Sequence, residues 1–120
     1  MGIFHKMEVW KESKDLAVRI YYLTNKDNFI KDYSLKDQIR RSAISIPSNL
    51  AEGEESLFNK VSIKFFNIAY ASLAELRTQI DISKDIGYIS ETEYSELNHS
   101  MTTLSKRIIK LIQFRQNHTS

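Results

Sequence analysis

The chain has 120 residues, a formal net charge of +2 and no cysteine. This length suffices for one hydrophobic core, and 42% hydrophobic with 27% charged residues is typical of a folded globular protein. The absence of cysteine excludes disulfides, thiol nucleophiles and zinc–thiolate sites, and no apolar run reaches the roughly 18 residues of a membrane span. The N-terminus lacks a secretory signal pattern, so we expect one cytoplasmic domain without a membrane partner.

Long stretches of helical periodicity, with only three glycines and one proline, predict an all-α protein. Residues 1–7 are expected to form a loose arm. The first helix is predicted from Glu8 to Thr24, with a polar loop from Asn25 to Tyr33 after it. Val9, Leu16, Ile20 and Leu23 share the apolar face of this helix.

The second predicted helix begins after Ser34 and contains the only proline, Pro47. Ser34 with Asp37 resembles a capping box, and Gly53 is expected to end or weaken the helix. A proline within a helix removes one backbone hydrogen bond and crowds the carbonyl of Ala43, at a cost of about 3 kcal/mol. We therefore predict a bend at Pro47. The apolar face comprises Leu35, Ile39, Ala43, Ile46 and Leu50.

The third predicted helix runs from Leu57 to Ile86, and Gly87 is expected to stop it in the left-handed conformation. Its main apolar face comprises Phe58, Phe65, Ala69, Leu73, Leu76 and Ile80. Ser90 and Glu93 form a second predicted capping box. The fourth helix carries Tyr94, Leu97, Met101, Leu104, Ile108 and Leu111 at three- and four-residue steps. This spacing is typical of a bundle seam, so we predict an antiparallel up-and-down four-helix bundle, with a loose tail over residues 116–120.

Two predicted helices carry further stripes beside their main apolar faces. The third has a second apolar stripe formed by Ile63, Tyr70 and Ala74. The second has a strip of small or polar residues that would let another helix approach closely, namely Gln38, Ser42, Ser45 and Asn49. Two interpretations are open at this point: these are ordinary scattered surface residues, or they form a subunit interface.

Basic residues cluster on two predicted helices. Arg40 and Arg41 lie off the apolar face of the second helix, and the fourth helix carries Lys106, Arg107, Lys110 and Arg115. Residues 106–120 include no acidic residue. Such cations bind phosphates in a salt-dependent, sequence-independent way. A solvated helix face near a helix C-terminus explains the same pattern, because the helix dipole favours cations there.

No pattern indicates catalysis. Glu96 and His99 form a single Glu-x-x-His pair, whereas di-iron bundles need two such pairs and two further inward glutamates. The acidic residues Glu52, Glu54 and Glu55 fall at a helix end, where we expect solvated charges. Phosphate-binding glycine loops and nucleophile–base motifs are absent. We therefore predict no enzymatic activity, no cofactor and no metal site.

Several segments together resemble one protein family. They are VWK at 9–11, KDLA at 14–17, IYYLT at 20–24, QIRRSA at 38–43, SIPSNLAEG at 45–53, FFNIAYASLAEL at 65–76 and IGYI at 86–89. The chain resembles the small four-helix-bundle proteins encoded within 23S rRNA intervening sequences. The resemblance implies a homopentamer without enzymatic activity.

A protein related to that family, the accessory variability determinant of diversity-generating retroelements, resembles this fold, forms a pentamer and works beside a reverse transcriptase on nucleic acid. Family members often continue after the AEG turn with an arginine-bearing segment, whereas this chain has Glu54, Glu55 and Ser56. This departure argues against a phosphate contact at the turn. We expect an oligomeric accessory protein that binds RNA or DNA weakly and docks a further protein of unknown identity. The alternative is a scaffold that contacts only protein.

Overall fold

The computed structural model describes residues 3–118, which contain helices and no β-strand. The all-α prediction is therefore confirmed. One turn of 3-10 helix over Ile3–Lys6 precedes five α-helices. These are α1 (Glu8–Leu23), α2 (Asp27–Lys31), α3 (Tyr33–Glu55), α4 (Asn59–Asp85) and α5 (Glu91–Asn117). The helix α5 thus extends into the segment predicted as a tail, and the 3-10 turn occupies part of the predicted arm. Residues 119–120 lie outside the described range.

The four long helices pack around one apolar core. The helix α3 packs against α1 and α4, and α5 packs against the same two helices. Each long helix contributes a stripe at helical spacing, so the core is continuous from α1 to α5. Its fully buried side chains include Ile20, Ile39, Ile46, Phe66, Leu76, Ile80, Leu104 and Ile108.

The core faces predicted for α4 and α5 are confirmed from Ala69 to Ile80 and from Leu97 to Ile108, and they differ only toward the helix ends. On α4, Phe66 is fully buried while Phe65 is only partly buried. The predicted core residue Phe58 is 69% exposed because α4 begins after it, at Asn59. On α5, Ile112 is buried and Leu111 is partly buried. One residue corresponds to about 100° around a helix, so a single-position error moves a side chain to a different face.

The segment predicted as a loop, Asn25 to Tyr33, instead contains the short helix α2. The reason is Phe29, which is buried and packs edge-to-face on Tyr88 with ring centroids 5.1 Å apart. The predicted cap of the next helix is also corrected. Asp32 caps α3, because its Oδ1 accepts a hydrogen bond from the Leu35 N–H at 3.2 Å. The Tyr88 hydroxyl donates to the other carboxylate oxygen of Asp32 at 2.9 Å, and Ser34 lies within the first turn.

Two other helix signals are confirmed. Gly87 has a φ of +82°, and the Tyr88 N–H donates to the Ser83 carbonyl at 2.8 Å, as in a Schellman motif. Ser90 and Glu93 form the reciprocal capping box at the start of α5. The Ser90 N–H donates to the Glu93 carboxylate at 2.9 Å, and this bond, with Lys26 nearby, lowers the pKa of Glu93 below its ordinary value.

The helix α3 continues through both residues expected to disturb it. Pro47 lies inside the helix, and the helix ends only at Glu55. Gly53 was expected to end or weaken the helix, but its role is in packing. A Cβ atom at Gly53 would lie 2.5 Å from Cε1 of Phe66 and 3.1 Å from the Ser62 carbonyl oxygen. The absence of a side chain therefore lets the buried Phe66 ring lie against the α3 backbone.

We expect Gly53→Ala to lower the free energy of unfolding by about 1–3 kcal/mol, because overpacking against a buried ring outweighs the gain in helix propensity. Urea denaturation followed by circular dichroism measures the change. Ser48→Ala, an exposed site on the same helix, is the control and should change stability by less than about 0.5 kcal/mol. Equal denaturation midpoints for wild type and Gly53→Ala would contradict this packing role.

Candidate nucleic-acid interface

The neighbouring arginines Arg40 and Arg41 of α3 have different environments. The Arg40 Nε donates to the Thr24 hydroxyl at 2.8 Å, and its Nη2 donates to the Tyr21 carbonyl at 3.3 Å. Its guanidinium carbon also lies 4.4 Å from the Tyr21 ring centroid. Arg40 therefore ties α3 to the end of α1. Arg41 is 80% exposed, and its Nε lies 3.0 Å from the carboxylate of Asp37 on the same helix.

The two arginines of α5 form ion pairs with other helices. Arg107 pairs with Glu12 of α1, and the Arg107 side chain remains 49% exposed. Arg115 pairs with Glu54, and these two side chains are only 18% and 13% exposed. The Arg115 Nη1 also donates to the Asn59 side chain at 2.8 Å. Arg115 therefore joins α5 to the end of α3, and Glu54 is a partly buried ion-pair partner rather than the solvated charge that was expected.

The two lysines of α5 have a different environment. Lys106 and Lys110 are exposed, lie one turn apart, and form no ion pair within residues 3–118. The chain has no acidic residue after Glu96, so α5 itself offers them no carboxylate from that point on. We call the surrounding surface the α5 strip, defined by the exposed residues Lys106, Lys110, Gln113, Phe114 and Asn117.

The six predicted basic residues do not form one patch. Arg40 and Glu54 are fourteen positions apart on α3, which corresponds to about 21 Å along its axis. Arg115, the partner of Glu54, therefore lies near the opposite end of α3 from Arg40. The structure brings together Lys106 and Lys110, with Arg107 beside them directed to Glu12.

Two residues of the polar strip of α3 bond to α4 of the same chain. The Ser42 hydroxyl donates to Glu75 at 2.7 Å, and the hydroxyl oxygens of Ser45 and Ser72 lie 2.8 Å apart. Ser42 is buried, so it offers no surface to a second subunit. The remaining two residues of the strip bond within α3: Gln38 to Ser34 at 3.2 Å, and Asn49 to the Ser45 carbonyl at 2.8 Å. The helix that approaches this strip within the chain is therefore α4.

The second apolar stripe of α4 is only partly exposed. Ile63 packs against the core, whereas Tyr70 and Ala74 are exposed. Tyr70 lines a shallow groove between α4 and α5 together with Ile109. Three further large apolar residues of α4 are exposed and were not predicted from the sequence, namely Val61, Ile68 and Ile82. Their spacing in multiples of seven was the available signal.

The described residues hold no arrangement that suits metal binding. Glu96 and His99 are both exposed, and residues 3–118 contain no group of three or more His, Cys, Asp or Glu side chains able to hold a metal ion, wherever those side chains are described. No helix in the described part of the chain is both long and apolar enough to cross a membrane.

The fold and surface define a small all-α bundle protein with exposed lysines on the outer faces of its helices. The chain belongs to the family described as 23S rRNA-intervening sequence protein, which matches residues 5–110. This confirms the family indicated by the sequence motifs. The proposed relation to the retroelement accessory protein stays a prediction.

One solved structure is closely similar. It is a protein of unknown function from the S23 ribosomal protein family of Bacteroides thetaiotaomicron VPI-5482, with a TM-score of 0.82 and 29% sequence identity. The match covers 88% of this chain and 95% of that chain. No curated protein matches. Neither the family description nor the description of this structure names a catalytic activity.

We expect Arg115→Gln to lower the free energy of unfolding by about 1–3 kcal/mol, because Glu54 would keep a charge in a partly buried site without its partner. Arg107→Gln is the matched control, since its ion pair is more exposed and should contribute less than about 1 kcal/mol. Urea denaturation at neutral pH compares the two. Equal losses of unfolding free energy in the two variants would show that the Arg115–Glu54 pair stabilises the fold no more than the exposed Arg107–Glu12 pair does.

Proposed function

We propose that this chain is a non-enzymatic, oligomeric accessory protein that binds RNA or DNA weakly, without sequence preference, through the α5 strip. The observation that carries the proposal is the pair Lys106 and Lys110, exposed and without a carboxylate partner in the described chain. An unpaired ammonium binds a phosphate without first losing an intramolecular ion pair, and each contact releases counterions from the nucleic acid. The proposed site does not include Arg40 and Arg115, because both side chains hold helices together.

Oligomerisation is the second part of the proposal. Two lysines make few phosphate contacts, so one chain alone would bind weakly. A ring repeats the α5 strip, and multivalency then raises the apparent affinity without new contacts. The support for an assembly is the exposed apolar surface of α4, where Val61, Ile68 and Ile82 are 40%, 40% and 45% exposed. The resemblance to pentameric relatives supports a five-membered ring.

We also infer that the four long helices run up and down in alternation, with a bend in α3 at Pro47. Contacts support an antiparallel arrangement for two helix pairs. Positions rise on α3 while they fall on α4, from Ser42–Glu75 to Ser45–Ser72. Positions likewise rise on α1 while they fall on α5, from Glu12–Arg107 to Arg19–Ser100. The bend rests on the steric effect of proline within a helix. Residual dipolar couplings on either side of Pro47 measure the angle, and collinear segments would contradict it.

We expect multi-angle light scattering to give a mass near five chains of 14.0 kDa, about 70 kDa, at micromolar concentration. The physical reason is that a heterologous contact with a closing rotation gives a ring of fixed size. A mass near 14.0 kDa would remove the ring and the avidity argument with it.

Nucleic-acid binding is tested by fluorescence anisotropy with a labelled RNA and a duplex DNA, titrated from low to physiological salt. We expect affinity to fall steeply with salt, and Lys106→Gln with Lys110→Gln to weaken binding and reduce the salt slope by about 2. The matched control is Lys60→Gln with Lys64→Gln, two exposed lysines one turn apart on α4.

Equal effects of the two double variants would show that binding follows net charge and not the α5 strip. No binding even at low salt, with the oligomer intact, would contradict the proposal and favour a scaffold that contacts only protein.

A further inference from the structure

An exposed aromatic ring lies on the α5 strip. Phe114 follows Lys110 by four residues and is 56% exposed. Its ring stacks on the imidazole of His118, with ring centroids 4.1 Å apart and an interplanar angle of 24°. The helix buries its neighbour Ile112 in the core, so Phe114 is outside the bundle packing. This leaves a large aromatic surface in solvent beside a row of cations.

The two stacked rings are held in place by main-chain contacts. The Nδ1 of His118 lies 2.7 Å from the Phe114 carbonyl oxygen. A carbonyl oxygen only accepts hydrogen bonds, so Nδ1 carries the proton and the imidazole is oriented over the ring. The Asn59 side chain donates to the His118 carbonyl at 2.8 Å, which ties this end of α5 to the start of α4. The aromatic surface is therefore preorganised.

We propose that the Phe114–His118 stack is a base-binding platform, and that the preferred ligand of the α5 strip is single-stranded nucleic acid. This inference rests on the proposed function and specifies its ligand. Lys106, Lys110 and Phe114 succeed one another at four-residue intervals, about 6 Å apart along the helix axis. Phosphates on the two lysines therefore leave a neighbouring base within reach of the Phe114 ring.

The chemistry of the strip distinguishes a single strand from a duplex. In a duplex the bases are paired and stacked, so a helix surface meets mainly phosphates, and the exposed ring contributes nothing to binding. A single strand presents unstacked bases, and stacking on an aromatic side chain is tolerant of sequence because every base has a π-face. The lack of acidic residues after Glu96 suits a polyanion better than it suits a basic protein surface.

The experiment measures anisotropy with labelled oligo-dT of about 20 nucleotides and with the oligo-dT·oligo-dA duplex of the same length. We expect wild type to prefer the single strand. Phe114→Ala should weaken single-strand binding by about 5- to 30-fold and change duplex binding less than about twofold. Phe114→Trp should retain single-strand binding, and its indole emission should be quenched by oligo-dT beyond the change that Trp10 gives in wild type.

The control variant is Tyr22→Ala. Tyr22 is 74% exposed on α1, where it lines a surface hollow with Glu93 and Glu96. Arg19 and Lys26 also line this hollow, so its charges balance and it gives a polyanion no net attraction. The variant should therefore bind both oligonucleotides as wild type does.

Three results would overturn the inference. Equal affinity of wild type for the two oligonucleotides, unchanged by Phe114→Ala, would remove the platform and leave the lysine contacts standing. A lower oligomer mass for Phe114→Ala in light scattering would show that Phe114 is a subunit contact. Failure of wild type to bind either oligonucleotide would instead contradict the proposed function itself.

Discussion

The close packing of α3 against α4 is the contact on which the other helix positions depend. Gly53 lets the Phe66 ring lie against the α3 backbone, and the Ser45 and Ser72 hydroxyls meet at 2.8 Å. Small side chains allow two helices to approach, while buried polar groups must find partners or lose free energy. The Ser42–Glu75 and Ser45–Ser72 bonds therefore fix the register of the pair as well as its distance. With this pair fixed, α1 and α5 complete the core from the other side.

Most arginines of this chain contact another helix, whereas the two lysines at the end of α5 remain exposed. Five of the six arginines contact another helix: Arg19 with Ser100, Arg40 with Thr24, Arg77 with Thr102, Arg107 with Glu12 and Arg115 with Glu54. A guanidinium has several donors in a fixed plane, so it suits bridges between elements. An ammonium on a flexible stem is strongly hydrated and remains at the surface more readily. The positive charge that stays accessible on α5 is consequently carried by Lys106 and Lys110.

The net charge of the chain does not show which of its cations are accessible at the surface. A net charge of +2 is small, and most of the arginines that produce it have intramolecular partners. The α5 strip is notable because cations and an exposed aromatic ring occur together on a helix face without carboxylates. The apolar residues on α4 form a separate exposed surface, at Val61, Ile68 and Ile82. A subunit interface on α4 and a ligand-binding surface on α5 can therefore exist on the same chain.

The sequence alone determined the features that depend on neighbours within a few positions. The all-α class, the left-handed stop at Gly87 and the capping box at Ser90 were predictable because their hydrogen bonds join residues three to five positions apart. The family was recognisable from contiguous motifs such as SIPSNLAEG.

The tertiary structure decided which side chains meet across the bundle. Burial of Phe29 against Tyr88 turned a polar loop into α2, and Asp32 replaced Ser34 as the cap because Tyr88 holds its second oxygen. The pairing of Arg115 with Glu54, 61 positions away, removed an arginine from the predicted basic cluster. Such contacts depend on the rotation and register of whole helices. Long-range packing sets both, so no local pattern in the sequence encodes them.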